Sequence, residues 1–196
     1  ARTSLFYPDA VTLAPNVDAD GLLMRIDSEA AGASVKDSFA DLDLTGAGFD
    51  VLFEAQWIHR PASADMPRTA PDLRWDVARS PESLRDWALA WDGGAGNANL
   101  FRPDLLDEPA TFVLVGRTTD GCVVAGAVAG RSERVVGVSN LFAPADRADM
   151  AWPGVLQLVG RLCPGLPVVG YERDEDLAFA IRHRFEPIGP LRVWRH

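Results

Sequence analysis

The sequence predicts an α/β fold: a mixed, mostly antiparallel sheet flanked by helices, with a small N-terminal α/β appendage. Three observations carry this. Between 110 and 143 the β-rich runs "ATFVLVGR", "CVVAGAVAG" and "VVGVSNLFA" are joined by turns short enough for antiparallel pairing. From 73 to 195, strand-like runs alternate with segments of helical period. Residues 61–72, "PASADMPRTAPD", have no hydrophobic period and read as a linker. The expected organisation is therefore an appendage over 1–60, a linker over 61–72 and a larger domain over 73–196.

Composition narrows the function classes. With 196 residues, 47% hydrophobic and six tryptophans, the chain can bury a real core, and disorder is excluded as its general state. The net charge of -9 argues against a nucleic-acid or anionic-membrane partner, either of which needs a basic face. The acid excess is concentrated early: residues 1–60 carry ten acids and four bases, the remainder eighteen and fifteen. Cys122 and Cys163 stand far apart in apolar runs, and reduced thiols are the simpler reading. No apolar run approaches a membrane span, and "ARTSLFYPDAV" has no signal-peptide core, so the expectation is a soluble cytoplasmic protein.

In the appendage, "AVTLA" reads as a strand, 18–27 as a helix, "SVKDSFADL" as a second helix and "FDVLFEAQWIHR" as a strong strand. After the linker, "LRWDVA" is a strand. Ser80 then suits an N-cap, Pro81 the first helical position and Glu82 the positive helix end. Leu84, Trp87, Ala88 and Trp91 give that helix one apolar face, and "GGAGN" ends it. A short helix at "PDLLDE" precedes the three β-rich runs. "ADMAWPGVLQLVGRLCPG" is a helix with Gly165 past its end, and "LPVVGYE" is a strand. "DEDLAFAIRHRF" is a helix, acidic at its start and basic at its end, and "EPIGPLRVW" is a strand whose prolines place it near an edge or bend. A faint echo sets "GFDVLFEAQWIHR" beside "RFEPIGPLRVWRH", with His59 and His196 in matching places, so the appendage reads as a partial repeat.

This element order and the tail "VVGYERDEDLAFAIRHRFEPIGPLRVW" resemble the GCN5-related N-acetyltransferase (GNAT) superfamily over about two-thirds of the chain. The resemblance implies an acyl group moved from acetyl-CoA to an amine of a small molecule or peptide. It implies that the strands "VVGVSNLFA" and "LPVVGYE" part to admit the pantetheine arm. Val138, Ser139, Asn140 and Leu141 would then line one side of the slot and Gly170, Tyr171 and Glu172 the other. Physics supports such a slot independently, because a strand without its neighbour exposes N–H and C=O groups that can bind an amide-bearing ligand.

Tyr171 and Glu172 are the candidate acid and base, although adjacent strand residues face opposite ways and only one can line the slot. Core packing for Tyr171 and a salt bridge for Glu172 are the plainer alternatives. The family's glycine-rich pyrophosphate loop is replaced by "PADRADMAWPG". Arg147 offers a cation there, Asp146 and Asp149 would repel phosphate, and Pro153 removes a donor. Arg184 stands where a glycine is usual. This departure favours a second reading, a binding or assembly module without catalysis. The family also has one more strand at its end, which "FDVLFEAQWIHR" could supply within the chain or across a homodimer.

Other patterns carry less. Ser139, His183 and Asp174 lack a nucleophile elbow around any serine, and the three histidines lack metal-ligand spacing. "NVDADGLLMRID" has calcium-loop spacing but no preceding helix, so its acids are expected to cap a helix starting near Ala19. Lys36, the only lysine against eighteen arginines, stands as an oddity.

Overall fold

The computed structural model describes residues 7–68, 73–94, 96, 99–144 and 149–196. Its strands are β1 (Ala10–Val11), β2 (Ser34–Asp37), β3 (Asp50–Arg60), β4 (Arg74–Val77), β5 (Thr111–Arg117), β6 (Val123–Arg131), β7 (Val136–Phe142), β8 (Val168–Glu172) and β9 (Glu186–Arg195). The helices are α1 (Ala19–Leu23), α2 (Pro81–Trp91), α3 (Ala151–Leu162) and α4 (Asp174–Arg182). The chain forms two compact units. The first runs up to Trp57 and includes Tyr171–Asp174 and Pro187–His196; the second is Ile58–Gly170 with Glu175–Glu186. The divisions thus fall inside β3, β8, α4 and β9.

In the second unit the strand order is β3-β8-β7-β6-β5-β4. β4, β5, β6 and β7 pair antiparallel in succession, and short turns join β5 to β6 and β6 to β7. Helix α2 starts as the sequence dictates: the Ser80 hydroxyl accepts from the Ser83 N–H, and Pro81 opens the first turn. Its apolar face buries Leu84, Trp87 and Ala88, and the Trp87 indole donates to the Leu114 carbonyl at 3.0 Å. Helix α3 carries the main core. Trp152, Val155, Leu156, Leu158 and Val159 are sealed against strand residues such as Leu114, Ala127 and Val136. Burying each large side chain contributes roughly 1.5–3 kcal/mol. Gly154 is required by packing, because a side chain there would collide with the Trp75 indole. After α4, Arg184 turns the chain at φ 68, the left-handed conformation for which glycine is usual at such a place.

In the first unit the order is β1-β2-β9-β3-β8. Asp18 caps α1 by accepting from the Gly21 N–H, so an acid of the calcium-like run serves a helix end. The helix expected over "SVKDSFADL" is instead strand β2, parallel to β1 and antiparallel to β9. Val35, Phe39 and Leu42 imitate a helical stripe. The Asp37 carboxylate, however, accepts from the N–H groups of Phe39 and Leu42 and turns the chain out of the strand. Val35, Leu42, Leu44, Phe49 and Trp194 make this unit's smaller core.

β9 lies between β2 and β3, so "FDVLFEAQWIHR" of the same chain fills the place beside "EPIGPLRVW". Phe49 meets His196 and Glu54 meets Arg192, a descending progression that marks the two strands as antiparallel. Pro187 and Pro190 precede the part of β9 that pairs with β2, which begins at Arg192, so neither interrupts that ladder.

Candidate functional site

The parallel ladder between β7 and β8 joins Val136 to Val168 and Gly137 to Val169, and among the described residues it records no further pair. Gly170 allows the strands their last close approach, since a Cβ there would lie 3.0 Å from the Val138 carbonyl oxygen. On its other side β7 pairs with β6 through a bulge: Ser139 faces Val128 and Phe142 faces Gly126, so Asn140 and Leu141 together stand opposite Ala127, one residue more than the ladder needs. Asn140 adopts φ 52, and its side-chain amide donates to the Ser139 hydroxyl at 3.2 Å. A bulge of this kind interrupts strand pairing and re-aims side chains.

The four expected cofactor contacts on β7 therefore separate by kind. Val138 is buried in the core and Leu141 packs against it, so these two offer backbone groups only. Ser139 is exposed and Asn140 partly so. Arg147 and Asp146 lie outside the described residues. Asp149, expected to repel phosphate, is answered by two basic side chains: Arg182 at 3.3 Å and the His183 Nε2 at 3.0 Å. That engagement also removes His183 from any triad with Ser139 and Asp174; Asp174 pairs with Arg173. Helix α3 opens without a side-chain cap, and Pro153 offers no N–H in its first turn.

In the first unit Tyr171 gathers a cluster that sequence reasoning did not assemble. Its ring stacks on Phe53 at 6.4 Å and meets Trp57 edge-on at 5.7 Å. The Trp57 indole N–H is fixed by the Ser38 carbonyl at 2.9 Å. Over these rings lies the Lys36 ammonium, 4.0 Å from the Tyr171 centroid and 4.8 Å from that of Trp57. Among the described residues no carboxylate makes an ion pair with it.

Two effects compete at Lys36. Burial lowers its pKa from 10.5 to about 8. At 1.36 kcal/mol per unit this is at most about 3 kcal/mol, less where solvent still reaches the amine. The ring faces favour the cation by about 1–2 kcal/mol. Burial wins, so the amine is easier to deprotonate than an ordinary lysine. Tyr171 moves the other way: burial first, and the Glu172 charge second, raise its pKa and keep the phenol protonated. Strand alternation turns Glu172 to the face opposite Tyr171. The one signal available in the sequence was the singularity of Lys36; its surroundings come from β3 and β8.

Among the described residues no helix is long and apolar enough to cross a membrane, and no cluster of side chains could hold a metal ion. Neither a family model nor a curated protein matches the sequence. Solved structures that share the fold are mostly GCN5-related N-acetyltransferases. A functionally unknown conserved protein from Staphylococcus epidermidis superposes with a TM-score of 0.66 at 13% identity, over 83% of this chain and 71% of that one. A GCN5-related N-acetyltransferase from Kribbella flavida gives 0.59 at 17% identity, over 83% and 67%. The N-myristoyltransferase of Saccharomyces cerevisiae, solved with bound myristoyl-CoA, gives 0.57 at 10% identity, over 83% of this chain and 50% of that one. The chain has the fold of the GCN5-related N-acetyltransferases, with its own sequence in the loop before α3 and the N-terminal β3 beside its last strand.

Proposed function

We propose that the chain is an acyl-CoA-dependent N-acyltransferase, with acetyl-CoA as donor and an amine of a small molecule or peptide as acceptor, acting in the cytoplasm. The observation that carries this is the early end of the β7–β8 ladder, which stops at Gly137 and Val169 while β7 continues to Phe142. Backbone groups beyond that point suit the amides of a pantetheine arm. Ser139 and Asn140 add polar side chains at the bulge, and Arg147 supplies a cation for the phosphates. Tyr171, held protonated, is the acid that protonates the departing thiolate. Glu172 is the alternative proton-handling group, on the opposite face.

Isothermal titration with acetyl-CoA, coenzyme A and pantetheine tests the reading. Micromolar binding that weakens in Asn140→Ala supports it. In an acyl-transfer assay Tyr171→Phe lowers kcat about 10²-fold with little change in binding, the loss of a general acid. A second reading, a binding or assembly module without catalysis, is favoured by the absence of glycine between Ala143 and Pro153. The absence of heat at millimolar acetyl-CoA would decide for it.

A further inference from the structure

We infer that Lys36 is itself an acyl acceptor: its amine takes the acyl group from an acyl thioester, and the chain becomes acylated on that residue. The inference rests on the acyl-CoA reading above and extends it to a modification site.

The geometry supplies what such a step needs. A nucleophilic amine must lose its proton; the rings of Tyr171 and Trp57 favour the cation, but burial acts against it and no carboxylate among the described residues pairs with Lys36 to hold the charge. The charged groups on the surrounding elements are engaged elsewhere. Asp37 of β2 accepts from the Phe39 and Leu42 N–H groups, and Glu54 of β3 is held by Arg192 of β9 at 2.6 Å. Arg173, after β8, lies over the Phe53 ring, and the Glu172 charge acts on the Tyr171 phenol. Burial makes about a tenth of the amine neutral near pH 7, whereas an ordinary lysine has well under a hundredth. The side chain is only partly buried, so part of it stays open to solvent.

In the step, the neutral Nζ attacks the thioester carbonyl carbon. A C–N bond forms, the C–S bond breaks, and the surplus amine proton ends on the departing thiolate. The products are an amide on Lys36 and a free thiol. The phenol of Tyr171, 4.0 Å from Nζ measured to its ring centroid, belongs to the side chain already assigned the thiolate-protonating role.

The test uses a property of this chain: Lys36 is its only lysine, so any acylated lysine is Lys36. The full chain is incubated with acetyl-CoA over a pH series and examined by intact mass and peptide mapping, with acetyl-CoA binding followed by calorimetry. The expected result is one acetyl group on Lys36, added at a rate that levels off above an apparent pKa of about 8 and is absent in Lys36→Arg. Acetyl-CoA that binds while Lys36 stays unmodified, or labelling confined to the α-amino terminus, overturns the inference and leaves the transferase reading standing. Labelling whose rate keeps rising to the pKa of an ordinary lysine also overturns it. No binding of acetyl-CoA overturns both.

Discussion

Trp87 and Trp152 of the second unit and Trp57 of the first are treated differently. In the second, Trp87 and Trp152 are sealed at 0% and 1% exposure, Trp87 with its indole N–H on a carbonyl and Trp152 with its ring 4.4 Å from that of Phe185. In the first, Trp57 is only partly buried and carries a lysine on its face. The difference follows from position, for Trp57 lies outside the core cluster that holds Trp194. Where α2 and α3 close over strands, rings are consumed by packing. The first unit's small core buries Trp194 but leaves Trp57 open to a cation and to solvent. Chemistry that needs a half-desolvated amine belongs to the second situation.

The contrast can be broken by truncation. Trp152→Ala should destabilise the protein by about 3–5 kcal/mol in denaturant unfolding, and Trp57→Ala by less than half of that. Equal losses would mean that Trp57 is as structural as Trp152. Next in size is Asp37, fully buried and accepting from two N–H groups. Asp37→Ala should cost about 2 kcal/mol, because the Leu42 donor is left without its partner.

The smallest effect sharpens the contrast through pH. Lys36 has a lower pKa folded than unfolded, so below about pH 8 it is charged in both states and its burial cost is fully present. Between 8 and 10.5 the unfolded chain binds more protons, and stability rises with pH until the cost is gone. Lys36→Met should therefore be more stable than the parent near neutrality, by no more than about 1 kcal/mol once residual solvent and the lost ring contacts are discounted, and the gap should close through that window. A gap that does not change with pH would remove the desolvated lysine from the account.

What was legible in the sequence was local. The α2 start at Ser80 and Pro81, the β5–β7 meander and the polarity of α4 are set by neighbours a few residues away. The need for a further strand beside the last one was also legible, and β3 meets it. β2 was misread because its identity depends on pairing Ser34–Asp37 with Arg192–Arg195, far along the chain, while its own spacing imitates a helix. Tyr171 could be chosen from the strand that holds it. Its company of Phe53, Trp57 and Lys36 could not, since it draws on two further strands. The bulge at Asn140 was equally hidden: no glycine marks it, and an asparagine tolerates the left-handed backbone.

The pairing of β2 with β9 has a consequence for how the chain reaches its shape. Val35 waits for Trp194, and the whole continuous run from Ile58 to Gly170 is translated between them. During synthesis the early strands leave the ribosome long before their partner exists, while α2, α3 and the β5–β7 meander can already find theirs. The long closure slows the search, as it does wherever distant contacts dominate. Val51 and Leu52, still exposed in the finished fold, belong to that waiting segment, so chaperone capture of the nascent chain should centre on the residues before Trp57.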